Sequence, residues 1–234
     1  MDFLKILKSF EEFVYEALSW FVLLPKTLTR IVIRPGKMSD YVAAELHKSE
    51  AARYNDAISP PLLLILCVLF AHFLDLAIRT QSTDISGSLA STLVASDQNL
   101  LLYRTLAFGL WALAGAVYIV LRSGLSLSRD SLRVPFYQQC YLVSPFALAL
   151  SVGLSLLLTR GYGIVVGACL IVLGFLWFWI GQTVWINRAT KLPKRRSAIA
   201  AISIVLVGSV ANGLLVYGLL TTHAPPDPPA VHAR

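Results

Sequence analysis

Five long apolar segments, separated by short polar stretches, dominate the pattern of hydrophobic and polar positions along this chain. A helix needs about 20 mostly apolar residues to cross the hydrocarbon core of a bilayer. The segments that reach this length are residues 60–79, 102–121, 139–159, 162–184 and 197–221. The pattern therefore predicts an all-α fold, a polytopic membrane bundle of five transmembrane helices over residues 60–221.

The first 59 residues have a different pattern, which predicts a cytoplasmic N-terminal region. Over residues 2–24, apolar positions recur every three to four residues, and lysines and glutamates occupy the opposite side. This spacing indicates an amphipathic helix, and Glu16 and Pro25 interrupt it too early for a membrane span. We expect its apolar face to lie at the membrane interface or against a partner, through Phe3, Ile6, Leu7, Phe10, Phe13 and Val14.

Two further segments complete the N-terminal region. Residues 25–37 carry four basic residues and no acidic residue, including Lys26, Arg30 and Arg34. This composition is typical of a juxtamembrane segment held on lipid headgroups, either as an elbow that seats the bundle or as a docking surface for a partner. Residues 38–59 are predicted to form a short polar helix, and residues 222–234 a proline-rich external tail.

The distribution of positive charge predicts how the spans are oriented. Of the 20 lysines and arginines, all but four lie in segments that five spans would place on the side of the N-terminus; the exceptions are Arg79, Arg104, Arg160 and Arg234. This asymmetry predicts a cytoplasmic N-terminus and an external C-terminus, and a bacterial inner membrane is the location we expect. The net charge of +7 is thereby explained by topology, so no nucleic-acid partner is predicted.

Composition and motifs restrict the chemistry of the chain. Only 14% of its residues are charged and 56% are hydrophobic, whereas soluble globular chains carry about 25% charged residues, so an ordinary soluble enzyme is excluded. The three cysteines lie singly in apolar runs, and the four histidines are scattered, so neither a disulfide framework nor a metal site is predicted. No nucleophile elbow, zinc-protease motif or phosphate-binding loop occurs. We therefore predict no cofactor, and a membrane-embedded enzyme is the least favoured function.

Polar residues inside the spans form the one candidate ligand site. His72, Asp75 and Arg79 share a helical face at the outer end of the first span, and Asp75 and Arg79 have the i, i+4 spacing of an ion pair. Arg104 begins the second span from the same side, and Asn212 lies at a similar depth in the fifth. Charges inside a span usually have a partner or a purpose. Two interpretations stay open: a structural ion pair with a hydrogen-bonded histidine, or an outward-facing pocket for an ion, a proton or a small polar ligand.

Small residues in the fourth span have the spacing that brings membrane helices close together. A GxxxG pair is followed by glycines repeating every seven residues, so that the set comprises Gly163, Gly167, Gly174 and Gly181. Close backbone approach through small residues contributes much of helix association in lipid. The pattern predicts packing within the bundle, with the seam of a homo-oligomer as the alternative.

Three local sequences accompany this organisation. The elements Leu24-Pro-Lys-Thr and Ile33-Arg-Pro-Gly precede the spans, and the third span opens as Phe136-Tyr-Gln-Gln-Cys-Tyr-Leu-Val-Ser-Pro-Phe146. Together with five spans and a short turn between the third and fourth, they resemble the Yip-type family of five-helix membrane proteins over residues 20–222. The resemblance implies the fold above and, for eukaryotic members, an adaptor that recruits small GTPases and shapes vesicle membranes.

These observations predict a non-enzymatic integral membrane scaffold, or a subunit of a membrane protein complex, that docks partners through its cytoplasmic face. The expected partners are the lipid bilayer, a membrane or cytoplasmic protein and, on the second packing interpretation, another copy of the chain. The alternative is a small permease or channel subunit that uses the outward-facing polar residues. The two hypotheses differ in the residues that function requires. The scaffold requires the apolar face of the N-terminal helix, and the permease requires the polar cluster.

Overall fold

The computed structural model describes residues 3–79, 97–159 and 161–222. Within these residues the backbone forms seven α-helices, a short 3₁₀ turn and no strand, which confirms the all-α prediction. The predicted proline-rich tail lies outside the described residues. The helices are α1 (Phe3–Ile33), α2 (Pro35–Leu46), α3 (Pro60–Arg79), α4 (Asp97–Arg122), α5 (Arg129–Leu157), α6 (Tyr162–Thr190) and α7 (Lys194–Thr222).

Helices α3 to α7 are long and apolar enough to cross a membrane, which confirms the predicted five-helix bundle. Several of them extend beyond the predicted apolar segments, and α5 begins ten residues earlier than predicted. Hydropathy marks only the apolar part of a helix, whereas capping fixes its end. Ser128 caps α5, because its hydroxyl accepts a 3.2 Å hydrogen bond from the backbone N–H of Ser131, whose own hydroxyl accepts one of 3.0 Å from the N–H of Ser128.

One end of the bundle carries most of the basic residues near the spans. We call it the basic end; α3, α5 and α7 begin there, and α4 and α6 end there. Its basic residues are Arg122, Arg129, Arg133, Arg188, Lys191, Lys194, Arg195 and Arg196. At the opposite end, α3 and α5 end and α4 and α6 begin.

Helix α5 lies at the centre of the bundle, where it packs against α3, α4 and α6. Aromatic side chains from three helices meet around Phe146 of α5. Its ring stacks on Phe178 of α6 with centroids 4.4 Å apart and lies 5.0 Å from Trp111 of α4. All three side chains are buried, so this cluster joins α4, α5 and α6 into one core.

The predicted packing glycines all lie on α6, and three of them face α5. A Cβ built on Gly167 would lie 2.6 Å from the carbonyl oxygen of Gly153, and one on Gly174 would lie 3.1 Å from the Cβ of Ala149. A Cβ on Gly181 would be 3.4 Å from a methyl of Leu142. Gly163 differs, since a Cβ there would meet Thr159 of the preceding turn.

Helix α1 continues through Pro25, whereas the sequence divided this region at residue 24. The separate polar helix predicted for residues 38–59 also differs, because α2 begins at Pro35 and ends at Leu46. A proline inside a helix costs about 3 kcal/mol, so packing must offset it. The packing comes from the second half of α1, where Trp20, Leu24, Leu28 and Ile31 contact a buried apolar cluster formed with α2, α3 and α5.

Helices α1 and α2 form a hairpin that reaches down the side of the bundle. At its tip, the indole Nε1 of Trp177 donates a 3.1 Å hydrogen bond to the carbonyl oxygen of Val32. Pro35 lies beside Gly181, since a Cβ built on this glycine would be 4.0 Å from the proline Cβ. Gly181 is nine residues from the end of α6, about 13 Å at 1.5 Å per residue, and within the predicted span 162–184. The tip therefore lies beside the apolar part of α6.

Two polar contacts fix α2 against the spans. The side-chain amide of Gln138 donates a 3.0 Å hydrogen bond to the carbonyl oxygen of Ser39. Arg188 of α6 pairs with Asp40 at 2.5 Å. Because these contacts join α2 to both α5 and α6, the hairpin is an integral part of the fold.

Candidate functional site

Asp75, one of the predicted polar residues of the first span, lies in a buried cluster at the opposite end of the bundle. The carboxylate of Asp75 on α3 is 1% exposed. It accepts a 3.1 Å hydrogen bond from Nη2 of Arg104 on α4 and a 2.5 Å hydrogen bond from the hydroxyl of Ser155 on α5. The cluster thus joins three helices through one carboxylate.

The ion pair of the cluster crosses between helices. The sequence predicted that Asp75 would pair with Arg79 on its own helix; the side chain of Arg79 lies outside the described residues, so this pairing stays a prediction. The described partner is Arg104, which the sequence had placed near the cluster without pairing it. Removing a charge from water costs several kcal/mol, so a carboxylate at this depth requires the arginine and the hydroxyl hydrogen bond.

The described hydrogen bonds of the Asp75 carboxylate do not include His72 or Asn212. His72 is 5% exposed, and its Nδ1 has no hydrogen-bond partner among the residues that the structure describes. The side-chain amide of Asn212 donates hydrogen bonds to the carbonyl oxygens of Ala107 (3.2 Å) and Gly208 (2.8 Å). Asn212 therefore ties α7 to α4, and the described contacts do not link it to Asp75.

A second buried polar contact, absent from the sequence predictions, lies toward the basic end of the bundle. Gln139 of α5 and Gln182 of α6 exchange two hydrogen bonds, of 2.9 and 2.7 Å, and both side chains are fully buried. The pair fits against Gly115 of α4, where a Cβ would overlap the amide of Gln139. Two glutamines inside apolar segments were the available signal, because amides in lipid form hydrogen bonds between helices.

The first half of α1 presents apolar side chains that the described parts of the chain leave uncovered. Leu7, Phe10 and Phe13 are each more than half exposed, and Val14 is 37% exposed. The side chains of Phe3 and Ile6, predicted to belong to the same face, lie outside the described set. The second half of α1 packs one side against the bundle, through Trp20, Leu24, Leu28 and Ile31, so the helix is anchored at one end and has an uncovered apolar face at the other.

The basic residues of the second half of α1 and of the turn before α2 differ in their partners. Arg30 pairs with Asp56 at 2.7 Å, and the hydroxyl of Tyr41 donates a 2.6 Å hydrogen bond to the same carboxylate. The tyrosine hydrogen bond and the arginine lower the pKa of Asp56 below its usual value, although partial burial opposes them. Lys26 and Arg34, by contrast, make no ion pair with any residue the structure describes.

No model of a known protein family, no curated protein and no solved structure matches this chain. The fold defines it as a five-helix bundle of the kind that crosses membranes. The case for a function therefore rests on the contacts, burial and charge of its own residues, and the likeness to Yip-type proteins stays an expectation from sequence.

Proposed function

We propose that this protein is a non-enzymatic integral membrane scaffold that docks a partner protein on the first half of α1. The observation that carries the proposal is the uncovered apolar face of that helix segment, which continues from Leu7 through Leu18 to Phe21. Phe21 is 80% exposed and Leu18 61%, on a helix whose other half is held against the bundle.

The free energy available to such a face is substantial. Full burial of a large apolar side chain contributes about 1.5–3 kcal/mol, and partial burial about half of that. The face has six members, so covering it would contribute roughly 4–9 kcal/mol on this scale. They are Leu7, Phe10, Phe13, Val14, Leu18 and Phe21.

Charge favours a protein over the lipid surface as the occupant of this face. Residues 2–18 contain two lysines and four acidic residues, so anionic headgroups would repel the segment more than attract it. A partner that supplies an apolar groove or helix face, with basic residues around it, fits this segment better. A homo-oligomer would have to supply the same surface from a second copy.

The basic end of the bundle is assigned to the cytoplasm by this proposal. Cytoplasmic segments near the ends of spans are enriched in lysine and arginine, and the helix ends and loops at this end carry eight such residues. In a bacterial inner membrane, α1 would then meet cytoplasmic proteins or the cytoplasmic ends of membrane proteins. The C-terminus would lie outside.

Two matched substitutions test the docking role. Phe10→Asp places a carboxylate in the apolar face, whereas Lys8→Asp places the same group on an exposed polar position two residues away. Purification in mild detergent followed by mass spectrometry should recover a reproducible partner with wild type and Lys8→Asp and lose it with Phe10→Asp. Equal recovery with both variants contradicts the proposal.

A second candidate, a small permease or channel subunit, is favoured by the buried cluster around Asp75. The unsatisfied Nδ1 of His72 lies one helical turn from this carboxylate. If the protein is a permease or channel subunit, His72→Ala and Asn212→Ala would abolish function, while Phe10→Asp would leave it intact. Loss of function in Phe10→Asp alone supports the scaffold.

A further inference from the structure

A cleft of about 390 Å³ lies between α1 and α2, next to the turn of the hairpin. Its charged side chains are Arg30, Arg34 and Lys37. Asp56 neutralises Arg30, but neither Arg34 nor Lys37 makes an ion pair with any residue the structure describes, and both are exposed. The cleft therefore carries two positive charges for which these parts of the chain provide no counter-charge.

The position of the hairpin makes the charge of Arg34 costly. Arg34 directly precedes Pro35, which lies beside Gly181 within the apolar part of α6. A cation at this depth costs free energy unless it finds an anion or extends toward the headgroups. Asp40, the acidic residue nearest to Lys37 along α2, is already held by Arg188. Asp56 and Asp40, the described carboxylates nearest the cleft, are thus both paired already, so an anion bound from outside the described chain would supply the missing counter-charge.

An apolar groove of about 540 Å³ adjoins the cleft and shares Thr29 and Ile33 with it. The groove runs between the hairpin tip and the spans, and Phe70 and Leu74 of α3 and Leu148 of α5 line it. Phe70 and Leu74 are ten and fourteen residues into α3, roughly 15 and 21 Å from its start, so the groove lies deeper in the bundle than the start of that helix. A cationic cleft thus continues into a deeper apolar groove.

We propose that this combined site binds an anionic phospholipid from the leaflet at the basic end. Arg34 and Lys37 hold the phosphate, the arginine through paired N–H groups and the lysine as a point charge. One acyl chain follows Ile33 into the groove against Phe70 and Leu74. The inference is independent of the scaffold role, because the site lies on the second half of α1 and on α2, away from the uncovered face.

Lipid binding to the full chain tests the site. The purified protein in mild detergent is titrated with phosphatidylglycerol and, separately, with phosphatidylcholine of the same acyl chains, and bound lipid is counted by native mass spectrometry. Wild type should bind phosphatidylglycerol more tightly. Each basic residue near an anionic surface contributes about fivefold, so Arg34→Gln with Lys37→Gln should weaken phosphatidylglycerol binding about 30-fold. Binding of phosphatidylcholine should weaken less, because its choline cation already offsets the charge of its phosphate.

A matched control removes the same charge elsewhere at the basic end. Lys194→Gln with Arg195→Gln, at the start of α7 and outside the cleft, should leave the preference for phosphatidylglycerol unchanged. Equal loss in both double variants, or no preference in wild type, overturns the proposal. Melting temperatures of both double variants are measured first, so that loss of folding is recognised.

A third experiment distinguishes a bound lipid from a bound free anion. Inorganic phosphate at millimolar concentration should not displace phosphatidylglycerol, because it gains nothing from the apolar groove. Leu74→Trp, which fills the groove and keeps both charges, should weaken binding of both lipids. Full displacement by phosphate, together with unchanged lipid binding by Leu74→Trp, would show an anion site without an acyl groove and overturn the proposal.

Discussion

Replacing Gly167 by alanine should weaken the contact between α5 and α6. A Cβ at this position would lie 2.6 Å from the carbonyl oxygen of Gly153 and 2.9 Å from the backbone nitrogen of Leu157. Both neighbours are backbone atoms, so rotation of a side chain cannot relieve the overlap. Ordinary contact begins at 3.4 Å, so the two helices must move apart by about 0.8 Å at this point.

The expected loss of stability follows from weaker packing along the interface between α5 and α6. A gap of about 0.5–1 Å forfeits a quarter to a half of the dispersion attraction of each contact, and overpacking substitutions cost about 1–3 kcal/mol. Alanine also favours a helix over glycine by up to about 1 kcal/mol, which acts in the opposite direction. Gly109 on α4 isolates this second effect, because a Cβ there has nothing within 4 Å. Gly167→Ala should therefore be less stable than Gly109→Ala by about 1–3 kcal/mol.

Thermal unfolding of both variants in the same detergent, followed by circular dichroism, provides the measurement. For a chain of this size each kcal/mol corresponds to about 2–4 °C, so Gly167→Ala should melt about 2–12 °C below Gly109→Ala. Equal melting temperatures would refute the close approach of α5 and α6 at Gly153 and Gly167.

Three further predictions concern other parts of the molecule. Gln139→Leu should lower the free energy of unfolding by about 1–3 kcal/mol because it leaves the amide of Gln182 unsatisfied, and the double leucine variant should recover most of this loss in the same melts. Because the pKa of Asp56 is lowered in the folded protein, its carboxylate stabilises the fold above the unfolded pKa of 3.8, and this contribution is lost as pH falls through the folded value. The difference in melting temperature between wild type and Asp56→Asn should therefore shrink on acidification from pH 7 to pH 3. Reporter fusions after Gly124 and Pro193 should register as cytoplasmic, and an external signal at Pro193 would contradict the assigned orientation.

The number of spans was predictable because local composition is enough to identify a membrane helix. A run such as Pro60–Arg79 is apolar enough that length and hydropathy identify it without any knowledge of its neighbours. The end of a helix depends on single capping contacts instead, and the Ser128–Ser131 pair that begins α5 is too common a sequence pattern to be recognised in advance.

The path of α1 could not be predicted from its own residues. Pro25 is a signal for a helix end, and the packing of Trp20, Leu24 and Ile31 that overrides it comes from helices distant in sequence. The depth of the hairpin was hidden for the same reason, since the contact between Val32 and Trp177 spans 145 residues of chain.

The sequence identified several residues of the polar cluster but not the ion pair and hydrogen bonds that join them. Spacing along one helix identifies only partners one turn away, so it directed attention from Asp75 to Arg79. The contacts with Arg104 and Ser155 cross between helices, and they depend on how α3, α4 and α5 are packed. Ser155 carried no signal of its own, because serine is common in membrane spans.

Removing residues 2–18 tests the docking role most directly. The deletion takes away most of the uncovered apolar face but leaves Trp20, Leu24, Leu28 and Ile31, which hold the second half of α1 against the bundle. The shortened protein should insert into the membrane and melt within a few degrees of the full chain, yet lose the partner that the full chain co-purifies. A shortened protein that still captures every partner of the full chain would contradict the scaffold role and favour the polar cluster around Asp75 as the functional site.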